Sequence, residues 1–572
     1  MRTAIDTRVD RSDYVGGAGG NDAGPLATTV TVSQGAGKRK NHYQRKYVEL
    51  NGLRRSDVSY VVHNNSLINV LRALVERVYY VEGPTGGLVQ PPQPRRAIFN
   101  AHMDGFKRAL LRELSSVQRM CLRTFVRTSP EHKRKIYHQA MKTYLTNGMT
   151  DRDAQVTSFI KAEKVSTAKD DPAPRIIQPR GVKFNLVYGC FIRPAEKEVY
   201  RAIDAVFGRP TVVCGQNAEQ QGKMLRDAWD TISDPIAISY DLSRMDQHVS
   251  EVALRWEHSI YREMFKDDPD YETLNWCLNQ TVRNRGAAYT TDQYGTPHKV
   301  TYTKVGSRMS GDMNTSLGNK LLMCSMLHSF FTGHLGFVVG VDYVIVDNGD
   351  DCVVIMSRAA YRRMLQMVSP RARTMAAYGP NAAPSDVGGW QRPVVVQVAG
   401  VAEAATHKSI DVFFRELGFT IKEEGIVEEF EKIEFCQTQP CFIDGRWIMV
   451  RGLKALSKDC YCLKHWNQFE AWLGQVSTAG RTCYGSVPVF SAFYKCMLGK
   501  ETTSRNLLEQ SGLYYLAAGM KSTGVVTDEN RVAFYNTFGV TPREQVLIEK
   551  YYESLTRVTR LDGPSFGRVL PM

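Results

Sequence analysis

The sequence predicts an α+β fold in which strands that end in acidic residues alternate with amphipathic helices. Residues 236–240 form an apolar run typical of a strand, and apolar side chains recur at helical spacing over residues 249–260. Two further apolar runs, 343–346 and 352–355, flank the acidic segment 347–351, a pattern that indicates a β-hairpin. The chain has 572 residues, of which 43% are hydrophobic, which is enough to build a large core shared by several subdomains.

The chain is strongly basic, with 73 Lys and Arg residues against 59 Asp and Glu residues and a formal net charge of +14. This excess favours an anionic partner, either nucleic acid or an anionic membrane surface; a basic surface that only maintains solubility is the alternative. The most apolar stretch, residues 335–346, is too short to cross a bilayer and contains Asp342, so we expect no self-contained membrane span. No secretory signal or disulfide-type cysteine spacing is visible, which favours reduced thiols.

Composition also distinguishes loops from structured segments. Residues 1–36 are rich in Gly, Asp, Thr and Ser and are predicted to form a flexible arm or a loosely docked leader. Residues 106–142 combine helical spacing with many basic side chains, which suits a wall for a phosphate-bearing strand or, alternatively, a solvated helix face. The Gly-, Pro- and Ala-rich stretch 379–393 is predicted to be a loop or an insertion.

Acidic side chains lie at the predicted ends of two strands. Asp241 follows the first apolar run and Asp246 lies five residues later, while Asp350 and Asp351 lie at the turn of the predicted hairpin. Chemistry that joins nucleotides needs two divalent cations about 4 Å apart, and carboxylates on adjacent strand ends are suitable ligands for hard cations. An ordinary acidic turn is the alternative interpretation of the Asp350–Asp351 pair.

A Ser-Gly loop that runs into a helix lies between these two acidic sites. Thr315 and Asn319 are four residues apart and therefore share one helical face. An acid such as Asp246 and an amide such as Asn319 can both hydrogen-bond a ribose 2′-hydroxyl, the group that separates RNA from DNA. The pattern favours a ribonucleotide substrate, with a solvent-exposed polar face as the alternative.

A basic element precedes the first acidic strand. Lys164, Lys169 and Arg175 are among the cations spaced at short intervals around the apolar residues 176–177. Forked Arg and mobile Lys side chains are suited to neutralising an incoming triphosphate. A solvated basic strand is the alternative.

The order of these motifs resembles the conserved blocks of RNA-dependent RNA polymerases of positive-strand RNA viruses, most closely those of the tombusvirus group. The resemblance covers roughly residues 155–455. It is carried by the basic element, the Asp241-x4-Asp246 block, the Ser310–Asn319 run, Gly349-Asp350-Asp351, and Phe435-Cys436-Gln437-Thr438.

The resemblance implies a set of site residues. Asp241 and Asp350 are expected to ligate two Mg²⁺ ions, for which Mn²⁺ can substitute, with Asp351 nearby. The residues expected to bind the incoming nucleotide are Asp246, Thr315 and Asn319 at the ribose, Ser310 and Gly311 at the pocket wall, and Lys164, Lys169 and Arg175 at the triphosphate.

One further candidate comes from the same resemblance. Residues 418–424 fall where the family has a block whose basic residue is thought to protonate the leaving pyrophosphate, and Lys422 is the matching residue. Glu423 and Glu424 beside it are equally compatible with a plain surface turn. The spacing from Asp351 to Gly418 is longer than is usual in the family, in line with an insertion at 379–400.

The resemblance also implies a closed right hand with an antiparallel palm sheet flanked by helices. Fingers are expected at 37–235, with the basic triphosphate-binding element near 159–183, and at 263–300. The palm is expected at 236–262 and 301–455, and a helical thumb at 456–572.

The implied function is viral RNA synthesis from ribonucleoside triphosphates on an RNA template. A reverse transcriptase or DNA polymerase on the same palm is the first alternative, against which Asp246 argues, and a non-catalytic RNA-binding replication protein is the second. A membrane-anchoring viral protein, or an upstream extension, is the expected means of placing the enzyme at membrane-associated replication sites in the host cytoplasm.

Overall fold

The computed structural model describes residues 2–6, 30–35, 45–50, 59–83, 87–168, 171–368, 407–463, 466–497 and 512–556. Lys169 and the predicted inserted loop 379–400 lie outside the described residues, as does most of the predicted arm 1–36.

The strands of the described chain are numbered in order. They are β1 Arg2–Thr3, β2 Val30–Gln34, β3 Lys46–Glu49, β4 Tyr60–Val61, β5 Val81–Glu82, β6 Leu88–Val89, β7 Val156–Ile160, β8 Val165–Ser166, β9 Ile176–Ile177, β10 Pro235–Leu242, β11 Arg283–Thr291, β12 Pro297–Val305, β13 Tyr343–Asp347, β14 Asp351–Ser357, β15 Ile421–Val427, β16 Thr438–Ile443, β17 Arg446–Arg451 and β18 Tyr461–Cys462.

Helices occupy most of the remaining described chain. The α-helices are Leu67–Leu74, Arg96–Glu113, Leu122–Thr128, Glu131–Asn147, Asp151–Ala154, Val182–Val206, Ala218–Thr231, Met245–His248, Glu251–Met264, Tyr271–Val282, Thr315–His328, Arg358–Val368, Ile410–Glu416, Lys454–Asp459, Phe469–Tyr484, Phe490–Cys496, Gly512–Ala517, Asp528–Phe538 and Pro542–Thr556. The mixed helix and strand content confirms the coarser part of the predicted fold class.

A four-stranded antiparallel sheet lies at the centre of the fold, in the order β13-β14-β10-β15. Side chains alternate between its faces. Ile236, Ile238 and Tyr240 of β10 pack into one large hydrophobic cluster, whereas Ala237 packs into another. Because both faces are covered, the inner strands read as continuous apolar runs in the sequence. The predicted strand at 236–240 and the predicted hairpin at 343–355 are both confirmed.

A five-stranded sheet, β2-β12-β11-β7-β9, carries the basic element at one edge and β2 at the other. Residues 30–34 pair with β12, and residues 2–3 pair with β3, which in turn pairs with β18. The expectation of a flexible arm over 1–36 is therefore corrected for these two segments. Each segment pairs along one edge with a strand from a distant part of the chain.

A hairpin of β16 and β17 follows the central sheet, as the apolar runs around Asp444-Gly445 indicate. Both turn residues adopt left-handed backbone angles, with φ of 51° at Asp444 and 77° at Gly445, which suits a two-residue hairpin turn. The described chain after this hairpin is mainly helical. No helix of the described residues is long and apolar enough to cross a membrane.

Candidate active site

The three predicted metal-binding carboxylates lie at one edge of the central sheet. Asp241 on β10 lies directly opposite Asp351 on β14 in the antiparallel register. The backbone N–H of Leu242 donates to the carbonyl oxygen of Asp350 at 3.1 Å. Asp350 is exposed, whereas Asp241 and Asp351 are half-buried. The structure thus brings together residues that are more than a hundred positions apart in sequence.

The β13–β14 turn fixes the position of Asp350. Asp347 is fully buried, and its backbone N–H donates to the carbonyl oxygen of Thr211 at 2.9 Å. Gly349 is buried with φ of 93°, a left-handed conformation that disfavours any side chain. The side-chain amide of Asn348 lies 3.1 Å from Sγ of Cys436, which links the turn to the Phe435–Thr438 block. The acidic turn is therefore anchored on both sides.

The carboxylates repel one another. Burial, followed by the charges of Asp350, Asp241 and Glu424, raises the pKa of Asp351 to about 6. Burial, Glu424 and Asp350 likewise raise the pKa of Asp241, and only Lys422 opposes this shift. A divalent cation would relieve the repulsion, and carboxylate oxygens are the ligands that Mg²⁺ prefers.

The donor set therefore fits a hard divalent cation chemically. Within the described residues, no group of three or more His, Cys, Asp or Glu side chains is already gathered closely enough to hold an ion. The side chains of Asp241, Asp350 and Asp351 would have to turn toward one another to complete such a site.

A cavity of about 570 Å³ adjoins this edge of the sheet. Its size is within the range of small-molecule sites. Its lining includes the acidic and hydrogen-bonding side chains of Asp246, Ser310, Thr315, Asn319 and Asp350. It also includes four arginines, which are Arg77, Arg175, Arg244 and Arg308.

Asp246 and Asn319 form a hydrogen-bonded pair in the cavity wall. Nδ2 of Asn319 donates to Oδ1 of Asp246 at 2.8 Å. Burial raises the pKa of Asp246, and the bond from Asn319 opposes this shift. The family resemblance implies that both residues bind the ribose, and the structure brings them together.

Thr315 lies in the same wall, with its hydroxyl turned toward its own loop. Its Oγ1 donates to the carbonyl oxygens of Met309 at 3.1 Å and Asp312 at 2.9 Å. The side chain thereby holds the loop in its bend. A direct contact between Thr315 and the sugar remains a prediction.

Ser310 and Gly311 attach the loop to the basic element. Oγ of Ser310 accepts from the backbone N–H of Gln178 at 3.2 Å and donates to the carbonyl oxygen of Ile176 at 3.3 Å. Gly311 forms a parallel bridge with Pro179, and a Cβ at this position would lie 2.5 Å from Cα of Pro179. Glycine is therefore required here by close backbone approach.

The basic wall of the cavity differs from the predicted one. Arg175 lines the cavity as expected, but so do Arg77, Arg244 and Arg308, which sequence reasoning did not assign to the nucleotide. Burial and the charges of Arg244 and Arg175 lower the pKa of Arg77 to about 10, so the three guanidinium groups are close enough to repel one another. Arg244 lies inside the Asp241-x4-Asp246 block, which could have identified it. Arg77 lies in a single π-helical turn, Val75–Tyr79, outside the matching blocks.

Lys164 does not line the cavity, which corrects its expected position. Its Nζ donates to the carbonyl oxygen of Lys458 at 2.6 Å and lies 5.8 Å from the ring centroid of Trp472. Burial lowers its pKa to about 8. Periodic spacing identified the basic element but not the face on which each of its cations lies.

Lys422 lies directly opposite Asp241 on the neighbouring strand β15 and is exposed. It does not line the cavity, and its role as a proton donor remains a prediction. The register shifts after Lys422 and Glu423, so that Glu424 lies at a β-bulge. The charge of Glu424 acts on both Asp241 and Asp351, which makes it an acidic neighbour that the motif analysis did not assign.

Comparison with known proteins identifies the protein family to which this chain is similar. Residues 31–386 and 394–560 match the family model described as viral RNA dependent RNA polymerase. Three similar relatives are each named RNA-directed RNA polymerase. The protein of Melon necrotic spot virus is 35% identical over 526 residues, which is 90% of this chain and 59% of the relative.

The other two relatives are similarly distant. The protein of Cucumber necrosis virus is 34% identical over 499 residues, or 86% of this chain and 54% of the relative. That of Tomato bushy stunt virus (strain Cherry) is 34% identical over 503 residues, or 87% and 55% respectively. The chain thus spans little more than half the length of these curated relatives. The family model nevertheless covers most of the chain, which belongs to the viral RNA-dependent RNA polymerase family.

Proposed function

We propose that this chain synthesises RNA on an RNA template from ribonucleoside triphosphates. One observation carries the proposal: Asp241, Asp350 and Asp351 meet at one edge of the central sheet, where Asp350 also lines a cavity that contains the Asp246–Asn319 pair. The proposed metal ligands and the proposed ribose-binding pair therefore lie side by side. The family membership and the names of the relatives support the same reaction.

The two groups of cavity residues suit the two ends of a nucleotide. Asp246 and Asn319 offer an acceptor and an amide that are able to exchange their mutual bond for bonds to ribose hydroxyls. Arg77, Arg175 and Arg244 would bind the triphosphate, because guanidinium groups pair with phosphate oxygens through charge-assisted hydrogen bonds. The α-phosphate would then lie between these groups and close to Asp350.

Asp241, Asp350 and Asp351 are the residues that would hold two Mg²⁺ ions, with Mn²⁺ as a substitute. When bound, such ions acidify the attacking 3′-hydroxyl and stabilise the charge on the leaving pyrophosphate. The protein itself fixes the carboxylates by strand register and by the anchored turn at 347–349. Lys422, opposite Asp241, is the proposed donor of a proton to the pyrophosphate.

We extend the proposal to a closed right hand with the fingers, palm and thumb at the ranges predicted above. Contacts between the predicted fingers and thumb support closure. Strand β3 pairs with β18, and Lys164 donates to the carbonyl oxygen of Lys458. RNA template and product are the proposed macromolecular ligands, in line with the net charge of +14.

Recruitment to membrane-associated replication sites in the host cytoplasm by an anchoring viral protein, or by an upstream extension, is also a proposal. Its support is the resemblance to the tombusvirus group. Co-purification of the chain with the candidate anchoring protein from infected membranes is the corresponding test.

Incorporation of labelled ribonucleotides on an RNA template tests the reaction. Asp350→Ala should lower the incorporation rate by roughly 10²–10³-fold or more, because it removes a carboxylate that would hold the metal ions that stabilise transition-state charge. Since Asp350 is exposed, the thermal unfolding midpoint should stay close to that of the wild type.

Asp267→Ala provides a matched control, because Asp267 is an exposed aspartate outside the cavity. It should retain wild-type incorporation. Full activity of a folded Asp350→Ala protein would refute the assignment. Incorporation of deoxyribonucleotides as efficiently as ribonucleotides would favour a reverse transcriptase, and RNA binding without any incorporation would favour a non-catalytic replication protein.

A further inference from the structure

A buried ion pair lies against the Asp246–Asn319 wall of the cavity, and its arginine is itself a lining residue. The guanidinium of Arg308 donates to Glu257 through Nη2 at 2.5 Å and Nη1 at 3.2 Å. The side chains are 1% and 0% exposed. Glu257 also accepts from Nδ2 of Asn314 and from the hydroxyl of Tyr261, each at 2.7 Å, so its carboxylate is well satisfied.

Stability alone does not account for this pair. The desolvation cost of a buried ion pair usually offsets its Coulomb attraction, and apolar replacements are often neutral or stabilising. Such pairs are retained in some proteins because they specify one arrangement of neighbouring groups. The remaining contacts of Arg308 identify the groups that it arranges here.

Arg308 contacts both members of the predicted ribose-binding pair. Its Nε donates to Oδ1 of Asn319 at 3.2 Å, and its backbone N–H donates to the carbonyl oxygen of Asp246 at 2.8 Å. Asn319 in turn donates from Nδ2 to Oδ1 of Asp246 at 2.8 Å. The chain of contacts therefore runs from Glu257 through Arg308 and Asn319 to Asp246.

The chemistry of these contacts selects one orientation of the Asn319 amide. The Nε–H of Arg308 is only a donor, so it requires the amide oxygen, while an ionised Asp246 is only an acceptor, so it requires the amide nitrogen. Rotating the amide by 180° would place donor against donor and acceptor against acceptor. A guanidinium held at its far end by Glu257 cannot turn away to relieve that conflict.

We propose that Arg308, clamped by Glu257, is a positioning residue that fixes the Asn319 amide and thereby sets discrimination between ribo- and deoxyribonucleotides. This inference rests on the proposed function and deepens it, since it assigns part of the substrate selectivity to a buried ion pair at the cavity wall.

The first turn of the helix Thr315–His328 leaves space for this clamp. A Cβ at Gly318 would overlap Nη2 of Arg308 and lie 2.5 Å from Oε1 of Glu257. Glycine at 318 therefore lets the ion pair lie against the helix one residue before Asn319. Gly318→Ala should displace the guanidinium without changing any charge.

Selectivity, measured as the ratio of kcat/KM for a ribonucleotide to that for the matching deoxyribonucleotide, tests the proposal. Glu257→Gln/Arg308→Gln removes both charges, so no unpaired buried charge is left, and the shorter glutamine side chain at position 308 is expected to lose the bond to Asn319. Arg308→Lys keeps the positive charge for Glu257 but lacks the planar fork that reaches both partners. Each of these variants should lower the ratio about tenfold, and so should Gly318→Ala and the reference variant Asn319→Ala. A tenfold change corresponds to the loss of one hydrogen bond to a charged group.

Arg531→Gln/Glu549→Gln is the matched control, because this pair joins the two C-terminal helices through a 2.7 Å contact and does not line the cavity. It should leave the ratio unchanged whatever it does to thermal stability. An unchanged ratio in the folded Arg308 variants, or an equal fall in the control, would overturn the proposal.

Crystal structures of the unliganded variants provide a readout that does not depend on activity. In Arg308→Lys and in the double variant, the Asn319 Nδ2 to Asp246 Oδ1 bond should be broken or the amide reversed. If that bond persists unchanged, Arg308 is not a positioning residue. If the wild type incorporates no nucleotide, the proposed function fails, while these structures still decide the orientation of Asn319.

Discussion

At the residue scale, the arginines that line the cavity lie close to one another. Their positive charges repel, which strengthens their preference for an anionic ligand. Arg244 donates from Nη1 to the carbonyl oxygen of Glu76 at 2.7 Å, while Nε of Arg77 is buried with no hydrogen-bond partner among the described residues. An orphaned buried donor costs free energy that an anionic ligand would recover. Burial and the charges of Arg244 and Arg175 lower the pKa of Arg77, and the same ligand would relieve the repulsion among these charges.

Arg77→Gln should therefore raise KM for nucleotide about tenfold or more, the effect of losing one charge-assisted bond to phosphate, with a smaller change in kcat. Lys164→Ala provides the contrast, since this residue contacts the segment around Lys458 instead of the cavity. It should affect thermal stability more than KM. Steady-state incorporation at varied nucleotide concentration measures both, and a larger KM effect in Lys164→Ala would reverse the assignment.

At the scale of elements, close packing between a loop and a strand shapes the cavity. Gly311→Ala would force Cβ to within 2.5 Å of Cα of Pro179 and separate the loop from β9. We expect a loss of about 1–3 kcal/mol in unfolding free energy, as for other overpacking substitutions, together with reduced incorporation. Gly333→Ala is the control, because a Cβ there meets no atom within 4 Å. Equal effects of the two substitutions on urea unfolding would contradict this account.

The helix Thr315–His328 ends in a histidine that should make stability depend on pH. His328 packs at 5.2 Å and 5.6 Å from the rings of Phe106 and Phe207, and burial lowers its pKa to about 4. In the unfolded chain a histidine titrates near 6.5, so the unfolded state binds more protons between about pH 6.5 and 4. Stability should fall as the pH falls through this window.

His328→Phe should remove this dependence, which amounts to at most about 2 kcal/mol between pH 7 and 5. Urea unfolding at the two pH values measures the difference. His138→Gln, at an exposed site, should retain the wild-type dependence. A slope in His328→Phe as steep as that of the wild type would show that other groups are responsible.

At the scale of the whole molecule, the carboxylate site connects metal binding to folding. The repulsion among Asp241, Asp350 and Asp351 disfavours the folded state, and a bound cation would remove it. Because the pKa of Asp351 is about 6, its charged form predominates only above that pH, where the cation should bind best. Mg²⁺ or Mn²⁺ should thus stabilise the protein more at pH 7 than at pH 5.

Thermal unfolding with Mg²⁺ or with EDTA measures this effect. A concentration ten times Kd should add about 1.4 kcal/mol to the wild type. Asp241→Asn/Asp350→Asn should lose that increment, whereas Asp267→Asn should keep it. A wild type that is indifferent to both Mg²⁺ and Mn²⁺ would contradict the metal assignment.

The sequence by itself determined the central strands and the acidic turn. These features depend on local periodicity, on turn chemistry and on motifs whose spacing is short. Buried strands must be apolar and a left-handed turn favours glycine, so both features can be recognised from the residue types in the sequence.

Only the tertiary structure decided which distant residues share the cavity. Arg77 lines the cavity and Lys164 does not, because the side on which a cation lies depends on how separate elements pack. Spacing along one strand carries no information about this packing. The same holds for residues 2–3 and 30–34, whose composition indicates a flexible arm but which pair with β3 and β12. The Glu257–Arg308 clamp likewise arises where a helix, a loop and a second helix meet, because only there do two buried charges find their partners.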